Sequence, residues 1–262
     1  MAAYDDDLRL AHVIADMVDS LTTSRFQAAD LHVETKPDLT PVSDADKAAE
    51  DLVRTQLRRT RPRDAVVGEE FEPTGRGTRQ WVVDPIDGTK NYVRGVPVWA
   101  TLIALLDEGR PVVGVVSAPA LGRRWWAAAG TGAWTGRSLS AARRLHVSAV
   151  SRLEDASLSY SDLSEWERAG RREQFLALER RVWRSRAYGD FWSYMLVAEG
   201  GVDVAAEPAL EVYDMAALVP VVVEAGGRFS SVDGADGPHG GSALATNGVL
   251  HENVLAALSE SA

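Results

Sequence analysis

Two aspartates stand three residues apart in the segment WVVDPIDGTKNY, residues 81–92. Asp84 ends an apolar run with the pattern of a buried strand, and Pro85 favours a turn directly after it. One tight turn can therefore aim the carboxylates of Asp84 and Asp87 at a single point. Clustered carboxylates repel each other unless a cation lies between them, and Mg²⁺ is the usual ion for oxygen ligands. The spacing therefore predicts a magnesium site.

The residues that follow have the pattern of a phosphate-binding turn. Gly88 permits backbone geometry that a side chain would block, and Thr89 offers a hydroxyl where a short helix is expected to begin. The unpaired N–H groups at a helix N-terminus can bind phosphate. The alternative is a structural Asp-Pro turn followed by a helix cap, but such a turn does not need aspartate at both ends.

Other acidic residues could complete this site. Glu69 and Glu70 follow the apolar run AVVG, and the alternative for them is a solvated loop pair. Asp214 opens a predicted helix, where an acid also interacts favourably with the helix dipole. Asp46 lies three residues after Ser43, in the position that completes a capping box. Spacing alone does not choose between the structural and the functional alternatives.

Helices and strands must position these acids. Apolar residues at helical spacing over 10–21 predict an amphipathic helix of about five turns, and a second helix follows Ser43. The segment LHVETKPDLTPVS between them reads as a strand and then a loop. From Ala65 onward, short apolar runs separated by turn residues predict an antiparallel meander. The second half alternates strands with helices, including one helix over VYDMAALVPVVVEAGG, which indicates helices packed on a mixed sheet.

Composition limits the classes of protein that the chain can belong to. It has 262 residues, 45% of them apolar and 25% charged, which is typical of a globular protein with a sizeable core. The net charge of −10 argues against nucleic acid or an anionic membrane as partner. The absence of cysteine excludes disulfides and thiolate chemistry. The acidic start MAAYDDDLRL is unlike a signal peptide, and no apolar run is long enough to span a membrane, so we expect a cytoplasmic protein.

Four elements of the sequence resemble the inositol monophosphatase family. WVVDPIDGTKNYVR resembles the first family signature, and YDMAALVPVVVEAGG resembles the second. The second departs from the family pattern at Tyr213, where tryptophan is usual, and at Leu218, where a small residue is usual. GEE at 68–70 and the Asp-x-x-x-Glu of Asp46–Glu50 fall in the expected order. The resemblance covers nearly the whole chain.

The resemblance implies an α/β (α+β) fold, a five-layered αβαβα sandwich that usually forms a homodimer. The polar stretch TGRSLSAARR at 135–144 indicates a soft boundary between two subdomains. We expect residues 1–140 to form an N-terminal subdomain with most of the metal ligands. Residues 141–262 would then form a subdomain with the substrate-side residues, and the two would make one compact catalytic unit.

The resemblance also implies a set of metal ligands. Glu69, Asp84 and the carbonyl oxygen of Ile86 would bind the first Mg²⁺. Asp84, Asp87 and Asp214 would bind the second, so that Asp84 bridges the two ions. A third, weaker Mg²⁺ would lie near Glu69. Two such ions can neutralise a phosphate monoester dianion and hold the attacking water in line with the leaving oxygen.

The catalytic residues implied by the resemblance are Asp46, Thr89 and Glu69. Thr89 and Asp46 would form the pair that orients and deprotonates the attacking water. Gly88 and Thr89 would bind the phosphate. No covalent enzyme intermediate is needed, which agrees with a chain that has no cysteine.

Within the family, the phrases TKPDLTPVSDAD, RAYGDFWSYMLVAEGGVD and AAEPALEVYDMAAL resemble the branch that hydrolyses L-histidinol phosphate in bacterial histidine biosynthesis. That phosphate monoester carries a cationic amine and an imidazole, so its pocket should offer carboxylates that are not metal ligands. Asp190 and Glu207 are the candidates, with a helix N-terminal acid and a solvated strand-end acid as the structural alternatives. Gly189, His239 and Asn247 complete the expected substrate-binding set.

Two other functions are consistent with parts of the pattern. The first is an inositol-1-monophosphatase or a broad sugar and polyol phosphatase of the same family, since a fold does not determine its substrate. The second is a catalytically inactive metal-binding protein. The presence of both Asp46 and Thr89 argues against that second alternative.

Overall fold

The computed structural model describes residues 3–37 and 40–259. The helices are α1 (Asp5–Arg25), α2 (Asp44–Thr60), α3 (Thr89–Arg94), α4 (Leu163–Arg168), α5 (Arg172–Glu179), α6 (Asp190–Ala198), α7 (Val212–Met215), α8 (Leu218–Glu224) and α9 (His251–Ser259). The strands of the first half are β1 (Val33–Thr35), β2 (Pro41–Ser43), β3 (Ala65–Gly68), β4 (Arg79–Asp87), β5 (Ala100–Asp107), β6 (Arg110–Ala118), β7 (Arg123–Ala128), β8 (Ala133–Ser138) and β9 (Ala141–Arg144). Those of the second half are β10 (Ser157–Ser159), β11 (Arg184–Arg186), β12 (Val204–Glu207), β13 (Arg228–Ser230) and β14 (Ala243–Thr246).

Two sheets organise the chain. The first contains seven strands in the sequential order β3 to β9, antiparallel except for the parallel pair β3–β4. The second has the order β11-β10-β12-β14-β13, with β10 parallel to both of its neighbours. The meander and the mixed sheet expected from the sequence are both present.

The alternation of side chains along β5 shows how the layers are stacked. Ile103 and Leu105 pack in one buried cluster with α1 and α2, whereas Leu102 and Ala104 pack on the opposite face with α6, α7 and α8. The same central helices also contact the inner face of the second sheet through Ala205. The first sheet therefore lies between two helical layers.

The outer face of the second sheet is covered by α4, α5 and α9. Leu158, Val204 and Leu244 from the sheet form one buried cluster with Trp166 and Phe175 from these helices. The layer order is thus helices, seven-stranded sheet, helices, five-stranded sheet, helices. This confirms the five-layered αβαβα sandwich.

The structure differs from the sequence prediction in three local features. The segment expected to be a strand and a loop forms a hairpin of β1 and β2. The single helix expected over VYDMAALVPVVVEAGG is divided into α7 and α8. Pro220 explains the division, because it has no N–H to donate to the carbonyl of Ala216. Helix α4 has no counterpart in the prediction.

The first sheet extends past the boundary expected at residue 140. Strand β9 pairs with β8 in a register that joins Ser138 to Ala141 and Trp134 to Arg144. The second sheet begins at Ser157. The division into 1–140 and 141–262 stays a prediction about subdomains, and the change of sheet falls between Arg144 and Ser157.

Across the described residues, none of the helices combines the length and the apolar character that a bilayer crossing requires.

Candidate active site

The carboxylates of Asp84 and Asp87 are brought together by an irregularity in β4. Asp84 pairs with Leu102 of β5 and Asp87 with Ala100, so β4 has an extra residue between the two pairs. The backbone at this irregularity is held by Thr101, whose hydroxyl donates to the carbonyl of Pro85 at 2.8 Å. Both aspartates consequently face the same cavity.

Helix α7 adds a third carboxylate from the other half of the chain. Asp214 Oδ2 accepts the backbone N–H of Glu211 at 2.7 Å, which fixes the side chain at the start of the helix. One carboxylate oxygen from each of Asp84, Asp87 and Asp214 lies within 4.8 Å of the others. Three hard oxygen ligands at this separation can hold a divalent cation.

The electrostatics of these three aspartates favour a bound cation. Burial raises the pKa of Asp84 well above its usual range, and the charges of Glu69, Asp87 and Asp214 raise it further. Burial likewise raises the pKa of Asp87 well above its usual range and that of Asp214 to about 7. Within residues 3–37 and 40–259, Asp84 Oδ1 is buried without a hydrogen-bond partner. A cation would supply both the missing partner and the missing positive charge.

Glu69 lies on the wall of the same cavity, directly after β3. Lys36, in the β1–β2 hairpin, places its Nζ 2.6 Å from Glu69 Oε1 and 2.8 Å from Glu70 Oε1. The backbone N–H of Glu70 donates to Glu50 Oε2 at 2.7 Å, which anchors this segment to α2. The structure therefore places Glu69 where it can reach a cation, while its ligand role stays a prediction.

Thr89 and Asp46 meet beside the three aspartates. The Thr89 hydroxyl oxygen lies 2.9 Å from the carbonyl oxygen of Ile86 and 3.3 Å from Asp46 Oδ1. Ser43 donates its backbone N–H to Asp46 Oδ2 at 2.8 Å and its hydroxyl at 2.5 Å, which completes the expected capping box. Burial raises the pKa of Asp46 to about 6.

The turn before α3 requires a glycine. Gly88 has φ of +82°, and a Cβ there would lie 3.0 Å from the carbonyl oxygen of Val98 and 3.3 Å from Asp190 Oδ2. Any other residue would combine a left-handed backbone with a close contact. This turn brings the backbone of Gly88 and Thr89 to the cavity surface.

Asp190 and Glu207 line the same cavity, which has a volume of about 570 Å³. Asp190 opens α6 with φ of +49°, and its Oδ2 accepts Asn91 Nδ2 at 3.0 Å. Glu207 ends β12 and is 3% exposed. In the described part of the chain, Glu207 Oε1 and the Tyr194 hydroxyl are buried without a hydrogen-bond partner.

Three expected substrate-binding residues lie outside this cavity. His239 Nε2 contacts the carbonyl oxygen of Gly109 at 2.9 Å on an exposed loop. Asn247 is buried, where its Nδ2 donates to the carbonyl of Val150 at 2.7 Å and its Oδ1 caps α9 through the N–H of Leu250. Gly189 supplies the left-handed backbone before α6. We correct the sequence expectation for His239 and Asn247, which have these other partners, whereas the substrate-binding role of Gly189, next to Asp190, stays a prediction.

Several residues of the cavity wall were not singled out from the sequence. Lys36, Ser161, Glu165 and Tyr194 all line it. Lys36 contacts residues more than 30 positions away, so spacing could not reveal its partners. The signal that was available is polar character next to a strand or helix end, as at Ser161 after β10.

A five-layered α/β sandwich whose two halves meet at a cavity lined with carboxylates is the architecture of a metal-dependent phosphatase. The sequence profile of the inositol monophosphatase family matches residues 6–262. The chain belongs to the inositol monophosphatase family.

Individual relatives agree with this assignment. A histidinol-phosphatase of Streptomyces coelicolor is 64% identical over 264 residues, which cover 99% of each chain. A histidinol-phosphatase of Mycobacterium tuberculosis is 63% identical over 254 residues, covering 97% of this chain and 98% of the relative. A solved inositol monophosphatase from Zymomonas mobilis is 32% identical with a TM-score of 0.86, covering 99% of this chain and all of that one.

Proposed function

We propose that this protein hydrolyses L-histidinol phosphate to L-histidinol and inorganic phosphate, a reaction of histidine biosynthesis. The observation that carries the proposal is the pair Asp190 and Glu207, two acids outside the metal-ligand set that line the same cavity as the three clustered aspartates. The full-length similarity to two histidinol-phosphatases supports it.

The two ends of the cavity match the two ends of this substrate. Its phosphate is anionic and suits the end with the cation site and the Gly88 turn. Its amine is cationic and suits carboxylates outside the metal-ligand set, although the charge of Lys90, whose side chain is 67% exposed, also acts on Asp190. Asn91 Nδ2 donates to Asp190 Oδ2 at 3.0 Å and so fixes that carboxylate at the cavity wall. Glu207 Oε1 has no hydrogen-bond partner among the described residues. Burial raises the pKa of Glu207 well above its usual range and that of Asp190 to about 6, and a cationic amine beside them would favour their ionised forms, which a neutral polyol would not do.

The metal site suits Mg²⁺. Asp84, Asp87 and Asp214 offer oxygen ligands only, and we propose that Glu69 and the carbonyl of Ile86 complete the set for two or three ions. The buried, unpartnered Asp84 Oδ1 fits this role within the described residues. When bound, Mg²⁺ neutralises phosphate charge and makes a coordinated water more acidic.

Thr89 and Asp46 are placed to handle the proton of the attacking water. The Thr89 hydroxyl has one proton and lies 2.9 Å from the carbonyl oxygen of Ile86 and 3.3 Å from Asp46 Oδ1. When it donates to Asp46, its lone pairs can accept a hydrogen bond from water. Asp46 has a pKa of about 6, so it is mostly ionised at neutral pH. Because this pKa lies near neutral pH, its carboxylate can accept a proton during the reaction. We propose that the proton of the water passes through Thr89 Oγ1 to Asp46 Oδ1.

The experiment compares phosphate release from L-histidinol phosphate, inositol monophosphate and p-nitrophenyl phosphate, with Mg²⁺ and with chelator. We expect L-histidinol phosphate to give the highest kcat/KM, and chelator to abolish all three activities. Faster hydrolysis of inositol monophosphate would overturn the substrate assignment in favour of an inositol monophosphatase.

The variants Asp190→Asn and Glu207→Gln test the residues behind the assignment. A charge-assisted hydrogen bond contributes roughly 1.5–3 kcal/mol, so each variant should lower kcat/KM for L-histidinol phosphate by about ten- to hundredfold. p-Nitrophenyl phosphate has no cation, so the ratio of the two rates is the measurement. Glu252→Gln, an exposed acid on α9, is the matched control. Parallel losses on both substrates would mean that these acids are structural.

The expected homodimer and the cytoplasmic location stay predictions. Size-exclusion chromatography with light scattering tests the first, and cell fractionation tests the second.

A further inference from the structure

Glu165 lines the same cavity as Asp190 and Glu207 and acts electrostatically on both. It lies in the first turn of α4, where an acid often turns back to cap the helix. Here the cap is made by Asp162, whose carboxylate accepts the Ser164 N–H at 2.8 Å. The Glu165 side chain instead lines the cavity and is 21% exposed.

The charges around Glu165 leave this end of the cavity short of positive charge. Its nearest cation is Lys90, whose Nζ is 4.0 Å from Glu165 Oε1 and whose side chain is 67% exposed. The other charged groups that act on Glu165 are Asp162 and Arg168. The charge of Glu165 raises the pKa of both Asp190 and Glu207, so the three acids are close enough to interact electrostatically.

A second observation points to a ligand at this end. Glu207 is 97% buried, lines the cavity and carries an oxygen with no hydrogen-bond partner in the described ranges. Buried carboxylate oxygens are usually hydrogen-bonded, so this oxygen at the cavity wall can accept a hydrogen bond from a ligand. Glu207 is buried and Glu165 is partly exposed, so Glu165 is the more solvent-accessible of these two acids.

We propose that Glu165 is a specificity-determining residue that binds the imidazole of the substrate, while Asp190 and Glu207 bind its amine. This inference rests on the proposed function. In L-histidinol phosphate the amine-bearing carbon is bonded to the ester carbon, and the imidazole lies one carbon farther out. With the phosphate at the Gly88 turn, the amine meets Asp190 first, since Asp190 Oδ2 adjoins that turn. The imidazole then extends toward Glu165, where its N–H would replace the exposed Lys90 as the partner of the Glu165 carboxylate.

The test compares two substrates that differ in the imidazole. O-Phosphoethanolamine has the phosphate and the amine but no imidazole, so the measured quantity is its kcat/KM relative to that of L-histidinol phosphate. In Glu165→Gln we expect the preference for L-histidinol phosphate to fall about tenfold. Glu165→Lys should lower it further, because glutamine can still accept a hydrogen bond whereas lysine repels the imidazolium. Glu167→Gln, an exposed acid on the same helix, should keep the wild-type preference.

The outcomes separate this inference from the proposed function. If wild type prefers inositol monophosphate over L-histidinol phosphate, the proposed function fails and the inference falls with it. If wild type prefers L-histidinol phosphate but both Glu165 variants keep its preference over O-phosphoethanolamine, the inference alone is overturned. Parallel loss on both substrates also overturns it, since Glu165 would then support only the structure of the cavity wall.

Discussion

Replacing Asp84 with asparagine should raise stability and abolish activity at the same time. Asp84 is 2% exposed, and among the described residues its Oδ1 has no hydrogen-bond partner. A buried group in this state costs about 1–3 kcal/mol of folding free energy. The asparagine amide also needs partners, so we expect a gain near the lower end, about 1 kcal/mol, in the absence of metal. For a chain of this size that corresponds to a rise of roughly 2–4 °C in Tm.

With Mg²⁺ present, wild type should have the higher Tm and Asp84→Asn the lower. A ligand at a hundred times its Kd stabilises the folded state by about 2.7 kcal/mol, which is roughly 5–11 °C in Tm. Asp84 is one of the three clustered carboxylates, so Asp84→Asn should lose most of this Mg²⁺-dependent rise. Its kcat should fall below a tenth of the wild-type value at saturating Mg²⁺.

The assay is thermal melting in chelator and across a Mg²⁺ titration, with phosphate release measured on the same samples. Asp236→Asn is the control, because its side chain is 76% exposed on the surface. If Mg²⁺ raises the Tm of Asp84→Asn as much as it raises that of wild type, Asp84 is not a metal ligand. A lower Tm than wild type in chelator would refute the claim that the unpartnered Asp84 oxygen destabilises the metal-free protein.

Three further perturbations test the role of Thr89 toward the attacking water, the effect of buried His251 on stability, and the close packing at Gly114. Thr89→Ala should lower kcat by about 10²–10⁴-fold while keeping the Mg²⁺-dependent rise in Tm, and an unchanged kcat would make Thr89 only a helix residue. Burial lowers the pKa of His251 to about 4, so the folded protein binds fewer protons than the unfolded chain. The contribution of His251 to the free energy of unfolding is therefore largely present above about pH 6.5 and falls by about 2 kcal/mol at pH 5. Denaturant titration at the two pH values should show a smaller loss in His251→Gln than in wild type. Gly114→Ala should destabilise the protein by about 1–3 kcal/mol in the same assay, because the new Cβ would lie 2.2 Å from the carbonyl oxygen of Ala217.

The sequence was most informative where local chemistry and local geometry coincide. The spacing of Asp84 and Asp87 predicted that one turn would aim both carboxylates at a single cavity, and the irregularity in β4 does so. The capping box of Ser43 and Asp46 was equally local and is present. The five layers followed from the family resemblance rather than from periodicity.

The residues that were misplaced or missed depend on long-range packing. His239 and Asn247 are polar residues near a strand end, and spacing could not show that their hydrogen bonds go to Gly109 and Val150. The division of α7 from α8 depends on Pro220, yet proline is also common in the first turn of an intact helix. Lys36 was missed because its two partners, Glu69 and Glu70, follow β3 and are more than 30 positions away along the chain.

The site exists only where the two sheets meet. Asp84 and Asp87 come from β4 of the first sheet, whereas Asp214 and Glu207 come from elements of the second half. One buried cluster spans both halves, so the same packing that joins the sheets also completes the cation site. Asp190, which we propose faces the leaving group, is not among the three clustered aspartates. Under the proposed function, substrate preference can therefore change at α4, α6 and β12 while the clustered aspartates and the Gly88 turn are kept.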